Sequence, residues 1–399
     1  MKRKNGLWTE LVHAGERKQP PMGRPVATPI YAASAFTYDS MEEVDKVFSG
    51  DAGDYVYTRY GNPTIAALQD ALVTLEAGTA ACAYGSGMAA LHAALFACEL
   101  APGSVVLASQ DLYGATFDLL HKVFGSAGVR TVTADFNDLE AVRAKAAASR
   151  PTVLLAETIS NPLLKVCDLA ALASIGKEVG ARLVVDNTFA SPFLCQPLTL
   201  GADFVIHSAT KYLGGHADAM GGIAVAKQEH DRLALVSIMK LAGGVMSVWE
   251  AHQILRGIKT LGLRLERQCD NALRIAEHFK GDPRLARLHH PGLSPEAASG
   301  LLARTLRPPH AGALVSIELK DDTKEAAFRF MNALQLCVRL TSLGDVFTGV
   351  SHSASSSHRE VSPAQRQRLG IRDGLVRISV GIEDVRDLIE DIDQALGHA

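Results

Sequence analysis

The chain predicts an α/β architecture: a large domain on a mostly parallel sheet, followed by a smaller C-terminal α/β domain. Three observations carry this. Short β-rich runs alternate with helical patterns between residues 104 and 226, as expected of a sheet covered on both faces. Beyond about residue 256 the pattern shifts to longer helices and then to β-rich runs such as 313–319 and Leu375–Ser379. The length of 399 residues exceeds the size at which a single core keeps growing, so two domains follow.

The opening segment, up to about residue 60, is rich in Pro, Gly and Tyr and weakly periodic. It reads either as an arm docked on another subunit or as a loosely packed cap. The expected division is therefore an arm over 1–60, a large domain over 61–255 and a small domain over 256–399. Helical spacing begins at Asn62. Ile65, Leu68, Leu72 and Leu75 share one face of a helix over 64–76, with Gly78 closing it. Another helix spans 89–100. The β-rich runs are 104–109, 129–135, 152–158, Arg182–Asp186, Phe204–Ser208 and Gly222–Ala226, with helices at 138–148 and Leu169–Val179 between them. A Ser-rich stretch, 351–358, interrupts the small domain.

Composition narrows the function classes. A net charge of −3 gives no general attraction to nucleic acid or anionic lipid. No apolar stretch is long enough to span a bilayer, and the basic start MKRKNGLWTEL lacks the apolar block of a signal peptide. The six cysteines include no CxxC pair. Reduced, buried thiols in a cytoplasmic protein fit better than a disulfide framework or a zinc site. His207, His216, His352 and His358 have no metal-ligand spacing such as HExxH, so no metal is expected. There is no GxGxxG nucleotide fingerprint after the first strand, and Gly85-Ser86-Gly87 lacks the G-x-S-x-G spacing of a hydrolase elbow.

In parallel α/β sheets ligands lie beyond the carboxyl ends of the strands, which ranks residues by position. Ser86, Gly87 and Met88 open a helix, whose free N–H groups and dipole suit a phosphate. Ser208 and Thr210 add hydroxyls after the 204–208 strand, and Lys211 follows them before Gly214-Gly215. A lysine desolvated there sheds its proton more readily and can condense with an aldehyde. Asp186 ends the 182–186 strand, where a carboxylate can hold a pyridine nitrogen protonated and make the ring an electron sink. Glu157 and Asn161 follow the apolar stretch 152–156. Each feature alone is common. Together, in this order, they describe a seat for pyridoxal 5′-phosphate.

The string Ser208-Ala-Thr-Lys-Tyr-Leu-Gly-Gly-His216 resembles the signature of the family that includes cystathionine γ-synthase, cystathionine γ-lyase and methionine γ-lyase. The similarity extends along nearly the whole chain. It includes Tyr57-Thr-Arg59-Tyr-Gly-Asn-Pro-Thr64, Ser86-Gly-Met88, Leu112-Tyr-Gly114, Glu157-Thr-Ile-Ser-Asn-Pro162, Val185-Asp-Asn-Thr188, Leu255-Arg-Gly-Ile-Lys-Thr-Leu261, Ser342-Leu-Gly344 and Arg377-Ile-Ser-Val-Gly-Ile-Glu383. This resemblance implies the aspartate-aminotransferase-like fold (fold type I), pyridoxal 5′-phosphate as cofactor and a small amino acid as substrate. It implies homotetramers built from dimers that share active sites, which gives the irregular arm a purpose.

The resemblance also implies roles. Lys211 binds the cofactor aldehyde and moves protons, Tyr113 stacks on the ring and assists proton transfer to the leaving group, and Asp186 pairs with the ring nitrogen. Ser86, Gly87, Met88, Ser208 and Thr210 take the phosphate, joined by Tyr57 and Arg59 from a neighbouring subunit. Arg377 grips the substrate α-carboxylate through a bidentate contact, with Ser342, Asn161 and Thr341 beside it. The implied reaction is γ-elimination on a sulfur amino acid, with γ-replacement of an activated homoserine as the alternative. A non-catalytic relative is disfavoured, because Lys211, Asp186, Tyr113 and Arg377 are all present.

Departures from the family pattern bear on the substrate. Thr341 stands where cystathionine-handling members look acidic, Ala115 where methionine γ-lyases typically carry cysteine, and Leu241 where an aspartate often follows Lys240. Residues 346–348 and 353–358 depart from the usual Glu-Ser-Leu and His-Pro-Ala patterns, either as a variable loop or as a substrate-shaping one. Thr341 and Phe347 are expected to make the distal pocket less charged, suiting methionine or homocysteine.

Overall fold

Alternate residues along each central strand point to opposite faces, and here both faces find apolar cover. Leu107, Leu154, Leu183, Val185 and Val205 join one core, while Val106, Val153, Leu155, Val184 and Ile206 join another on the opposite face. This two-sided burial explains why these strands read as unbroken apolar runs. A computed structural model describes residues 5–15, 23, 25–50, 53–359 and 361–399. Residues 1–4, 16–22, 24 and 51–52 of the expected arm lie outside the described residues.

The first sheet comprises β1 (Ala80–Tyr84), β2 (Val105–Ser109), β3 (Arg130–Ala134), β4 (Val153–Glu157), β5 (Arg182–Asp186), β6 (Phe204–Ser208) and β7 (Gly222–Ala226). Their spatial order is β1-β7-β6-β5-β4-β2-β3. Strands β6, β5, β4, β2 and β3 run parallel, and β7 is antiparallel to both β6 and β1. β1 is absent from the expected set. Its sequence, AACAY, is mostly small residues that carry little β-branched signal.

The second sheet holds β8 (Leu285–His289), β9 (Leu314–Leu319), β10 (Val338–Arg339), β11 (Gly349–His352) and β12 (Leu375–Ser379), in the order β10-β11-β12-β9-β8. Helices Leu261–His278, Lys324–Ala333 and Val385–Leu396 contribute buried side chains to its core. Ser351 of β11, Arg377 of β12 and Ser316 of β9 lie in register, placing Arg377 in the middle of this sheet.

Helix Pro63–Glu76 starts as the sequence suggests. Asn62 caps it by accepting the Thr64 N–H at 2.9 Å, and Pro63 occupies the first turn. Its end differs: Ala77, with φ of 56°, takes the left-handed cap that Gly78 was expected to supply. Gly78 is needed for another reason. A Cβ there would lie 2.5 Å from Val225 of β7. The helix expected over 89–100 begins earlier, at Gly87, because Ser86 caps it by accepting the Ala89 N–H at 3.2 Å.

In the first segment, helix Met41–Ser49 buries none of its residues, and Met41 and Phe48 are exposed. Among the described residues no helix is long and apolar enough to cross a membrane, and no group of three His, Cys, Asp or Glu could hold a metal. All six cysteines are buried and free of disulfides.

Candidate active site

The carboxyl ends of β4, β5 and β6, the start of helix Gly87–Ala97 and loops of the second sheet enclose one cavity of ≈ 520 Å³. Of the expected site residues, Ser86, Gly87, Met88, Tyr113, Asn161, Asp186, Ser208, Thr210, Lys211, Thr341 and Arg377 line it. Ser342 joins them through its hydroxyl, which accepts a hydrogen bond from Lys211 Nζ at 2.9 Å. Tyr57 and Arg59 do not reach this cavity within the chain. Arg59 instead donates to the Lys240 carbonyl at 2.9 Å and lies over the Tyr60 ring. Phe347, expected to shape the pocket, is not among the lining residues either; the loop residues Ser356 and Ser357 are.

At one end of the cavity the backbone comes unusually close. Gly87 at the helix start would, with a Cβ, stand 2.8 Å from the Ser208 Cβ, so a bare backbone N–H is presented beside a hydroxyl. Among the described residues the Ser208 hydroxyl has no hydrogen-bond partner, whereas its N–H donates to Thr188 Oγ1 at 2.8 Å. Thr210 Oγ1 accepts the Gly221 N–H at 3.0 Å. A helix N-terminus ringed by hydroxyls suits a phosphate.

Asp186 lies in register with Glu157 on the neighbouring strand. Asp186 Oδ1 accepts the Thr188 N–H at 2.9 Å, and Glu157 Oε1 accepts the Tyr113 N–H at 2.7 Å. Burial pushes the Glu157 carboxyl well above its ordinary range, and Asp186 beside it adds to the effect. Burial raises Asp186 as well, opposed by its Thr188 hydrogen bonds and by His207. Two desolvated acids side by side call for a cation between them, and a protonated ring nitrogen is one. Sequence reasoning noted Glu157 only as a strand-end residue. Its partnership with Asp186 depends on strand order, which one-dimensional patterning does not carry.

Lys211 is held below its ordinary value by burial, with the Arg377 guanidinium adding to this and Asp345 opposing it. Arg377 is itself buried, which pulls it down to about 10. Its Nη1 donates to Asn161 Oδ1 at 2.9 Å and its Nη2 to the Ser342 carbonyl at 3.2 Å, while Nε has no partner among the described residues. No acid pairs with it among the described residues. A fixed, unpaired guanidinium in a dry wall is suited to a ligand carboxylate. Tyr113, 40% exposed, stands at the cavity mouth.

The Ser-rich loop is ordered by its own hydrogen bonds. His352 Nδ1 meets Ser355 Oγ at 2.8 Å, Ser356 Oγ donates to the His352 carbonyl at 2.7 Å, and His358 Nδ1 meets Ser357 Oγ at 3.0 Å. It also presses on the Tyr113 segment, since a Cβ on Gly114 would fall 2.4 Å from the Ser357 carbonyl oxygen.

Phosphate cradle, acid pair, low-proton-affinity lysine and unpaired arginine fit pyridoxal 5′-phosphate and an amino acid together, and fold and site define an enzyme working through that cofactor. The family model described as Cys/Met metabolism PLP-dependent enzyme matches residues 8–397. The L-methionine gamma-lyase of Pseudomonas putida is 40% identical over 392 residues, covering 98% of this chain and 97% of that one. The cystathionine gamma-synthase of Mycobacterium leprae is 40% identical over 397 residues, again covering 98% and 97%. The solved cystathionine gamma synthase of Xanthomonas oryzae pv. oryzae, in complex with aminoacrylate and cysteine, superposes with a TM-score of 0.92 at 36% identity over 99% of both chains. The chain belongs to the Cys/Met metabolism PLP-dependent enzyme family, whose members here are transsulfuration enzymes of both lyase and synthase type.

Proposed function

We propose that the enzyme catalyses γ-elimination on a sulfur amino acid with a compact, uncharged side chain, methionine or homocysteine, releasing a thiol or sulfide, ammonia and a 2-oxo acid. One observation carries this reading. The cavity wall contributed by the second sheet's loops, Thr341, Leu343, Ser356 and Ser357, bears hydroxyls and an apolar side chain but no acid. A substrate with a distal ammonium group, such as cystathionine, would leave that charge unpaired there.

Arg377, steadied by Asn161 and the Ser342 carbonyl, holds the α-carboxylate. Burial favours the neutral amine of Lys211, which removes the Cα proton and redelivers it along the substrate; Ser342 Oγ fixes its position. Bound pyridoxal 5′-phosphate supplies the electron sink that lets protons leave Cα and Cβ. Asp186 would hold its ring nitrogen protonated, and Ser86, Gly87, Met88, Ser208 and Thr210 would take its phosphate. Tyr113 at the mouth gives a proton to the departing sulfur as the Cγ–S bond breaks. Ile159, Phe189 and Leu343 keep water from the reacting carbons. In this reading Tyr57 and Arg59 complete the phosphate site of a neighbouring subunit within a homotetramer, with residues 1–60 as the connecting arm, 61–255 as the cofactor domain and 256–399 as the small domain.

A second reading, γ-replacement on an acylated homoserine, draws support from the same hydroxyls, which could donate to an acyl carbonyl. The purified enzyme given O-acetylhomoserine with and without a thiol separates the two. The elimination reading expects 2-oxobutanoate at similar rates in both, alongside release from methionine. Oxo acid suppressed by thiol, with a thioether formed and no release from methionine, would establish replacement.

A further inference from the structure

Strand periodicity sends the sequence neighbours of the cavity residues to the far face of the sheet, and three of them converge there. Thr158 follows Glu157, Asn187 follows Asp186 and His207 precedes Ser208, so each stands one residue from a cavity-lining group on β4, β5 or β6. Their side chains meet around Glu76, the last residue of helix Pro63–Glu76. Glu76 Oε1 lies 2.7 Å from His207 Nε2 and accepts from the Asn187 amide at 3.0 Å. The Thr158 hydroxyl donates to Asn187 Oδ1 at 2.7 Å. All four residues are at most 1% exposed, and among the described residues Glu76 Oε2 has no hydrogen-bond partner.

Packing alone would be served better by an apolar side chain, since desolvating a carboxylate is unfavourable unless its charge is used. The backbone shows what it is tied to. The Thr158 N–H donates to the Asp186 carbonyl at 3.0 Å, and the Asn187 N–H to the Ile206 carbonyl at 2.8 Å. The spacing of the three strand ends therefore runs through the residues that Glu76 gathers. Titratable groups around Asp186 are Glu157, with Asp111 behind it, and His207, with Glu76 behind that; Cys195 faces Glu76.

We propose that Glu76 is a positioning residue for the cofactor: through His207, Asn187 and Thr158 it aligns the strand ends that present Asp186, Glu157 and Ser208. This rests on the family's cofactor and is independent of whether the reaction is elimination or replacement.

The test uses cofactor binding and its spectrum, not turnover. Apoproteins carrying Glu76→Gln or His207→Gln are titrated with pyridoxal 5′-phosphate, and the visible absorbance of the bound cofactor is followed against pH. Both are expected to bind about tenfold more weakly or worse, as for supporting partners of bound ions. The pH at which the spectrum changes should move down, because an Asp186 carboxylate displaced from its place holds the ring-nitrogen proton less firmly. Wild-type affinity and an unmoved spectral titration in folded variants would overturn the proposal. Should Glu76→Gln fail to fold, Thr158→Val removes one bond at the network's edge, and unchanged affinity and spectra in it and His207→Gln would overturn the proposal equally.

Discussion

Arg377 and Asn161 lie 216 residues apart in sequence and share a 2.9 Å hydrogen bond. One belongs to the middle strand of the second sheet and the other to the loop after β4. Among the described residues their contact leaves a buried guanidinium whose Nε has no partner and which no acid neutralises. In the proposed reading an amino-acid carboxylate arriving there completes an ion pair whose desolvation the fold has already met.

Arg377→Ala is therefore expected to raise KM about 30-fold or more, from losing a charge-assisted pair contributing roughly 2 kcal/mol, with a smaller effect on kcat. Steady-state kinetics on any turned-over amino acid checks this. An unchanged KM would place the carboxylate elsewhere.

Lys211→Ala should lower kcat by about a thousandfold or more, the loss of a positioned acid–base group compounded by loss of the covalent hold on the cofactor. Absorbance of the purified variant should change along with turnover. Substantial residual activity would assign the proton transfers to another group.

Glu157 offers a stability test with a defined sign. Its folded carboxyl lies above the ordinary value, so between about pH 4.3 and that raised value the folded state binds more protons than the unfolded one. Stability is then lost as pH rises through the window, and the penalty is complete above it. In the cofactor-free protein, Glu157→Gln should raise the melting temperature at pH 8, with the gain fading as pH falls toward 4. A variant that melts lower than wild type across the whole range would show the acid to be favourable where it stands.

Arg59 lies outside the cavity of its own chain. If it serves a neighbour, Arg59→Ala and Lys211→Ala chains, each weak alone, should regain activity when refolded or expressed together, because a mixed dimer contains one site free of both changes. Mixtures no more active than the parents would confine both residues to one subunit's site.

Much of this site was legible because buried parallel strands announce themselves and end where ligands bind. Arg182–Asp186, Phe204–Ser208 and Gly222–Ala226 have the bounds expected from their apolar runs, and Asp186, Ser208 and Lys211 were found by following those runs to their ends. What escaped was non-local. The antiparallel course of β7, the pairing of Glu157 with Asp186 and the gathering of His207, Asn187 and Thr158 on Glu76 depend on strand order and on contacts up to 131 residues apart. His207 was set aside as a metal ligand without a partner being assigned to it. Phe347 was assigned to the pocket from its place in a loop that departs from the family pattern, whereas Ser356 and Ser357 line the cavity. Nothing in a one-dimensional pattern distinguishes which side of such a loop faces inward.

The most direct test of the central claim is the ratio of kcat/KM for methionine to that for cystathionine, measured as 2-oxobutanoate release by the cofactor-loaded enzyme. A cavity wall of Thr341, Leu343, Ser356 and Ser357 has no partner for a distal ammonium group, so the ratio should be at least about ten. A ratio below one would contradict the compact, uncharged-substrate reading and require an acid to reach the cavity from another subunit.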